Sequence, residues 1–408
     1  MKILLTSILT FPGAGGIWTY VLELAKGLRS LGHTVDILAV HPGTKRFYLF
    51  YENRMVEDKS ITELVSRTLA LHRQTMSQLG GKINLFEWRR YRLELVAASL
   101  RLKQYDLIHA QEVFSAIALS RVKPKDIPLV TTIHGAIRDE FIIKGILNPS
   151  TPKRDAYVTK LEKTGIMSST SVIVPTKYMK NRFITDFQVP ENHISIIPLG
   201  FNLNQFRVQM EQPTDIQKAG NQKVIICSAR LEREKGHIYL LEALQKLRKV
   251  RTDWKCLLAG SGSLHKMLKD QCVRLGLNKH VVFLGYRRDI PALLRESDIF
   301  VLASIQENHP YAIMEAQAAG KAVIGSSAGG IPELIEHQKT GLVFPKKDSH
   351  SLFLQLSTVL ENQHLRDSLS SQAREFADGQ WAVETMLNRV VANYTRLALT
   401  AKGRKSFV

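Results

Sequence analysis

Residues 299–315 read IFVLASIQENHPYAIME. The first five, Ile299 to Ala303, form an unbroken apolar run of strand length, as in a strand of a buried parallel sheet. From Tyr311 onward the residues are again apolar and rich in alanine (Ala316, Ala318, Ala319), which predicts a buried helix, and Pro310 suits its first turn. Strand, polar turn and helix make half of a βαβ unit. The turn at the carboxyl end of such a strand is where ligands bind in open α/β sheets. Glu307 stands in that turn and Glu315 more than one turn into the helix. A carboxylate in an apolar helix needs partners, and the paired hydroxyls of a ribose are well suited. A helix cap for Glu307 and an internal salt bridge for Glu315 are the plain structural alternatives.

The same alternation runs outward in both directions. Lys2–Ile8, Thr34–Val40, Asp106–Ala110, Leu129–Ile133, Ser171–Pro175 and Ile194–Leu199 read as strands with helices between them. A second set follows at Lys223–Ala229, Lys255–Ala259, Val281–Leu284, Ile299–Ala303, Ala322–Gly325 and Gly341–Phe344, and three helices close the chain, the last at Val383–Leu397. Phe201–Gln222 is polar and rich in Gln and Asn and reads as a linker. With 408 residues, two domains are expected: α/β, both doubly wound and Rossmann-like, facing a central cleft. Residues 43–104 look like an insertion with few strand signals and helices near 60–79 and 84–104. The second of these carries Lys82, Arg89, Arg90, Arg92, Arg101 and Lys103 among Phe86, Trp88 and Tyr91. It reads either as a membrane- or acceptor-facing helix or as one that packs its apolar face and solvates its charges.

The composition is globular, 44% hydrophobic and 23% charged, which excludes a disordered or low-complexity chain. No apolar run reaches the ~18 residues of a membrane span. Polar and glycine-rich residues follow Met1–Thr6 at once, unlike a signal peptide, so the cytosol is the expected compartment. Three cysteines, Cys227, Cys256 and Cys272, without a CxxC spacing, read as buried reduced thiols. The 56 basic against 37 acidic residues give a net charge of +19, spread over both halves. That spread argues against a nucleic-acid arm. It leaves attraction to phosphorylated ligands and to an anionic membrane surface, or simple solubility.

The glycine loop Gly13-Ala14-Gly15-Gly16 joins a first strand to a helix whose first amides could cradle a phosphate. It is no dinucleotide fingerprint, because Trp18 stands where the third glycine belongs and the second strand ends without an acid. No Walker A motif, Asp-x-Asp, GxSxG or HExxH occurs. Arg230 and Lys235, in the run Ser228 to Gly236, lie just past a strand, where they could neutralise a diphosphate; alone they could also be a solvated charge run. Ala259-Gly260-Ser261-Gly262 is a turn that admits a ligand or another backbone closely.

Two glutamates separated by seven residues, after Arg230…Lys235-Gly236 and before Gly329-Gly330-Ile331-Pro332-Glu333 and Thr340-Gly341, resemble a retaining glycosyltransferase of family 4, with the GT-B fold. The resemblance extends to Gly15-Gly16 and to His134-Gly135 at a strand end. It implies an N-terminal acceptor-binding domain over 1–200, a C-terminal nucleotide-sugar-binding domain over 201–380, and a helix over 381–408 that crosses back to the first domain. It further implies that Arg230 and Lys235 bind the donor diphosphate and that Glu315 holds the ribose. Glu307 would contact the donor sugar and His134 the sugar and acceptor. Gly15 and Gly16 would make room for phosphates, and the main chain near Tyr286-Arg287 would meet the base. The loop Asn308-His309-Pro310-Tyr311-Ala312 would touch the donor. Many members carry Gly-Phe-Gly where this chain has Asn308-His309-Pro310, which leaves the transferred sugar open.

The implied reaction is transfer of a hexose or N-acetylhexosamine from a nucleoside-diphosphate sugar to an acceptor hydroxyl with retention, in cell-envelope glycan or glycolipid synthesis. Neither metal nor cofactor is required, because the cations and helix amides meet the leaving charge. Uridine is the commoner base. The acceptor is a glycan, a lipid-linked chain or a small molecule, and the enzyme is cytoplasmic or peripheral at the inner membrane face. The alternatives are a nucleotide-sugar epimerase or phosphorylase on the same architecture, or a non-catalytic nucleotide-sugar-binding scaffold.

Overall fold

The computed structural model describes residues 1–13, 15–71, 80–218 and 220–403. It divides into two compact units, Met1–Pro198 joined by the helix that starts at Val383, and Leu199–Ala382.

The first unit is built on eight strands: β1 Lys2–Thr10, β2 Thr34–Val40, β3 Phe47–Leu49, β4 Arg54–Met55, β5 Leu107–Ala110, β6 Leu129–Thr132, β7 Ser171–Val174 and β8 Ile194–Ile196. Their order is β4-β3-β2-β1-β5-β6-β7-β8. β1 pairs in parallel with β2 and β5, with Ile3 opposite both Val35 and Leu107. The chain therefore reverses direction of growth between β1 and β5, the topological switch point. Helices cover both faces, so Leu4, Leu5, Ile37 and Ile108 are shut from solvent. Burial on both faces explains why these strands read as continuous apolar runs.

β3 and β4 were not expected. They form an antiparallel edge hairpin in the segment read as an insertion. Two helices follow it, Lys59–Leu71 and Gly81–Ser99; residues 72–79 of the first expected helix lie outside the described residues. Two of the basic helix's arginines, Arg90 and Arg92, are buried and paired, which neither reading anticipated. Arg92 is 3% exposed and forks onto Glu57, with Nε and Nη2 each 2.6 Å from a carboxylate oxygen. Its Nη2 also donates to the Lys45 carbonyl at 2.7 Å. Arg90 is similarly buried against Glu87 and Glu94. Arg92 fastens the helix to the hairpin, while the Arg90 pairs lie within the helix itself.

The last helix, Val383–Gly403, packs on the helix Gly16–Ser30. A Cβ at Gly27 would stand 2.1 Å from Leu387 Cδ1, so glycine lets this leucine pack directly on the helix backbone.

The second unit carries β9 Lys223–Ser228, β10 Trp254–Ala259, β11 Val281–Gly285, β12 Ile299–Leu302, β13 Ala322–Ser326 and β14 Leu342–Phe344. The order is β11-β10-β9-β12-β13-β14, all parallel. This is the doubly wound order whose switch point falls between the first and fourth strands, here β9 and β12. Cys227, Cys256 and Cys272 are free thiols in its core. The stretch Phe201–Gln222 is not a plain linker. It holds the helix Leu203–Met210, capped by Asn202, and it packs on the second unit: Arg295 Nη1 donates to the Met210 carbonyl at 2.6 Å, and the Thr214 hydroxyl to Asp289 at 2.9 Å. Its polar composition hid a short amphipathic helix with one buried anchor, Phe206.

Candidate active site

In the second unit the turns after β9 and β12 meet at the switch point. Gly236 has φ +63, and a Cβ there would lie 2.0 Å from the Ala303 carbonyl oxygen. Glycine is thus required for both the left-handed turn and the close approach. The Ile305 amide donates to the Glu234 carbonyl at 2.8 Å. Across this seam Lys235 Nζ is ion-paired with Glu307 Oε1, and Ser304 Oγ donates to the same oxygen at 3.0 Å. The two side chains are only 17% and 10% exposed. The Gly330 amide donates to the Glu307 carbonyl at 3.3 Å, so the Gly-Gly turn supports this loop from the other side. Arg230, in contrast, is 59% exposed and paired with Glu234 at 2.7 Å.

The turn Ala259–Gly262 has a structural task. A Cβ at Gly260 would strike the Ala229 carbonyl at 2.0 Å, and one at Gly262 the Leu231 carbonyl at 2.4 Å. What approaches these glycines is the backbone that carries Arg230.

The helix Tyr311–Ala318 starts after Pro310, which occupies its N-cap instead of its first turn. Among the described residues no side chain caps it and no acid sits in its first turn, so its opening amides keep their positive end of the dipole. Glu315 is partly buried and makes no hydrogen bond or ion pair among the described residues. Loss of water pushes its carboxyl up to about 7. His309 is buried edge-on against Trp381, with ring centroids 5.2 Å apart, and burial lowers it to about 3. Trp381 Nε1 in turn donates to Gln317 at 2.7 Å. The Tyr311 ring lies by Phe201 and its hydroxyl donates to the Gly200 carbonyl at 3.4 Å. Asn308 is also buried, while Ala312 is partly exposed on the helix's first turn. The imidazole of His309 is therefore engaged within the unit. Arg287 is likewise engaged, between Asp289 (Nε to Oδ1, 2.8 Å) and Asp215 (Nη1 to Oδ2, 3.1 Å). Beside it Tyr286 is 62% exposed. Arg287 thus shapes the main chain at 286–287 through a fixed ion pair.

In the first unit the turns after β1, β5 and β6 carry Gly15, Gly16, Gln111 and His134. Gly15 has φ +110 and opens the helix Gly16–Ser30, which among the described residues has neither a capping side chain nor an acid in its first turn. His134 Nε2 lies 3.3 Å from Gln111 Oε1, and its ring meets Tyr20 edge-on at 4.9 Å. Burial lowers His134 to about 3, so it is neutral at physiological pH. Gln111 is 1% exposed, and its Nε2 has no partner among the described residues. Sequence reasoning missed Gln111, although its place just past β5, at the switch point, was a usable signal.

Residues 208–376 match the family described as glycosyl transferases group 1, and residues 14–205 the family described as Glycosyltransferase Family 4. An uncharacterised glycosyltransferase of Methanocaldococcus jannaschii is 25% identical over 399 residues, 96% of either chain. The N-acetyl-alpha-D-glucosaminyl L-malate synthase of Bacillus anthracis is 24% identical over 400 residues, 95% of either chain. Among solved structures, Anabaena HepE in complex with UDP and glucose is similar in fold, with a TM-score of 0.66 and 21% identity over 97% of this chain and 100% of that one.

Proposed function

We propose that this chain, which belongs to the group 1 and family 4 glycosyltransferases with the GT-B fold, moves a hexose or N-acetylhexosamine from a nucleoside-diphosphate sugar to an acceptor hydroxyl with retention of configuration. The observation that carries the reading is the nearly buried Lys235–Glu307 pair at the β9/β12 switch point. A cation held there by a carboxylate meets a diphosphate with its charge already oriented, and it need not reorganise when the glycosidic bond breaks. Arg230, more exposed, closes on the same anion. Glu315, with no partner of its own, accepts the ribose hydroxyls, and the main chain at Tyr286-Arg287 meets the base.

In the reaction the acceptor oxygen bonds to the anomeric carbon on the face from which the diphosphate departs. The bond to the diphosphate oxygen breaks, and that leaving oxygen takes the acceptor's proton. Glu307 orients the sugar hydroxyls, and His134 serves the acceptor side. Arg230, Lys235 and the open N-terminus of the helix Tyr311–Ala318 hold the leaving charge without a metal. HepE's complex with UDP and glucose and the N-acetylglucosaminyl activity named for the Bacillus relative support a nucleotide-sugar donor, and a uridine one first. The surplus of 19 positive charges supports a cell-envelope glycan or glycolipid acceptor met at an anionic inner membrane face. Among the described residues no helix is long and apolar enough to cross a membrane.

The test is release of nucleoside diphosphate from UDP-glucose, UDP-N-acetylglucosamine and GDP-mannose in the presence of EDTA, with and without a panel of glycan and glycolipid acceptors. One donor is expected to be consumed, Glu307→Gln to lower the rate by roughly 10²–10³, and the product to keep the donor's anomeric configuration by NMR. An inverted product, an epimerised donor, or binding without turnover would each overturn the reading.

A further inference from the structure

A line of polar side chains runs through the interior of the first unit and is not used by the chemistry above. His109, on β5, is wholly buried. Its Nδ1 lies 2.5 Å from the Tyr394 hydroxyl, on the last helix, and its Nε2 lies 2.7 Å from Thr132 Oγ1, on β6. Thr132 Oγ1 is also 3.2 Å from the hydroxyl of Tyr20, one turn into the helix that Gly16 opens. All four residues are at most 1% exposed. Tyr20 then meets His134 edge-on.

Burying four polar groups where Phe, Val or Leu would fill the space demands that every one be bonded. Burial keeps His109 neutral, so it has one N–H to give. The three contacts use three hydrogens of the four available. If Tyr394 donates to Nδ1, then Nε2–H donates to Thr132, whose hydroxyl either donates to Tyr20 or accepts from it. In the reverse sense Tyr20 donates first and His109 Nδ1–H donates to Tyr394. Either way the Tyr20 ring cannot swing without breaking a buried bond, and it is the wall against which His134 rests.

We propose that Tyr394 is a positioning residue for His134: its hydroxyl, through His109, Thr132 and Tyr20, fixes the ring that orients the acceptor-side histidine. The last helix thereby takes part in the site although none of its residues touches His134 in the contacts described. The catalytic consequence rests on the role given to His134 above; the positional claim does not.

Tyr394→Phe tests it, because it keeps the ring and removes the one hydroxyl. In full-length protein labelled with [15N]histidine, with His134 assigned by His134→Gln, the variant should shift the ring signals of both His109 and His134. With the donor found in the screen above, kcat should fall about tenfold at unchanged donor KM. In a His134→Gln background the same substitution should change kcat by less than about twofold. His134 signals that stay in place while those of His109 move would overturn the proposal, as would effects of Tyr394→Phe and His134→Gln that multiply. If wild type turns over none of the three nucleotide sugars, the catalytic reading fails and the NMR shifts alone decide the positioning. Should Tyr394→Phe not fold, Thr132→Val breaks the line on the other side of His109 and should move the same His134 signals.

Discussion

The two units solve the same architectural problem and furnish their switch points with different chemistry. In the second unit the seam between β9 and β12 holds an ion pair, Lys235 with Glu307; Arg230 follows β9, and Glu315, unpaired among the described residues, stands on the helix after β12. In the first, the seam between β1 and β5 holds a carboxyl instead, Glu112, which accepts from Ser7 Oγ at 2.9 Å and from the Ile8 amide at 3.1 Å and caps the helix that follows β5. Neutral His134 leans on Gln111 and Tyr20, backed by the His109–Thr132–Tyr394 line. A doubly wound sheet dictates where a ligand sits and leaves open what it is. Under the proposed function, the difference in furnishing would separate a place for a charged donor from a place for an acceptor hydroxyl. The first unit's buried ion pairs lie far from this seam in sequence, as Arg92–Glu57 and Arg90–Glu87.

The largest expected effect attacks that last distinction. Arg92→Ala leaves Glu57 buried without its cation and should cost about 3–5 kcal/mol of stability in urea unfolding. Arg101→Ala, on the exposed continuation of the same basic run, should stay within about 0.5 kcal/mol. Equal effects would mean that the basic helix is a solvated face after all, and that the first unit's charge is not structural.

A smaller effect sharpens the other side of the comparison. Glu315 holds its proton more tightly when folded, near 7, than a carboxyl at its ordinary 4.5. Between those values the folded chain binds more protons than the unfolded one, so stability falls as pH rises from about 4.5 to 7 and is level above. Glu315→Gln removes this dependence. Its melting temperature should match wild type at pH 4.5 and exceed it at pH 8, by an amount that corresponds to roughly 1–3 kcal/mol. A gap that does not change with pH would place Glu315 in an internal bond and remove it as the ribose partner.

Much of this was legible before the structure. The parallel strands announce themselves because burial on both faces makes each a continuous apolar run; Thr34–Val40 has the same bounds in both readings, and Ile299–Leu302 is one residue shorter than expected. The hairpin Phe47–Leu49 and Arg54–Met55 was not legible, since strands of three and two residues at an edge leave no period to detect. The helix Leu203–Met210 was masked by its Gln and Asn content. The candidate site residues were named from a motif or a resemblance. Their pairings were not, because Lys235 and Glu307 are 72 residues apart and His109 and Tyr394 285 apart, and no local pattern links such distances. For the same reason Arg92 read as a surface charge: its partner Glu57 stands 35 residues away, in the hairpin's exit.

The most direct measurement is calorimetric titration of the full-length chain with UDP, and with GDP beside it, for wild type, Lys235→Ala and His134→Gln. The account predicts that one diphosphate binds wild type, that Lys235→Ala weakens it by more than about tenfold, and that His134→Gln leaves it unchanged. Equal affinity for wild type and Lys235→Ala, or a larger loss in His134→Gln, would contradict the assignment of the charged seam to the donor.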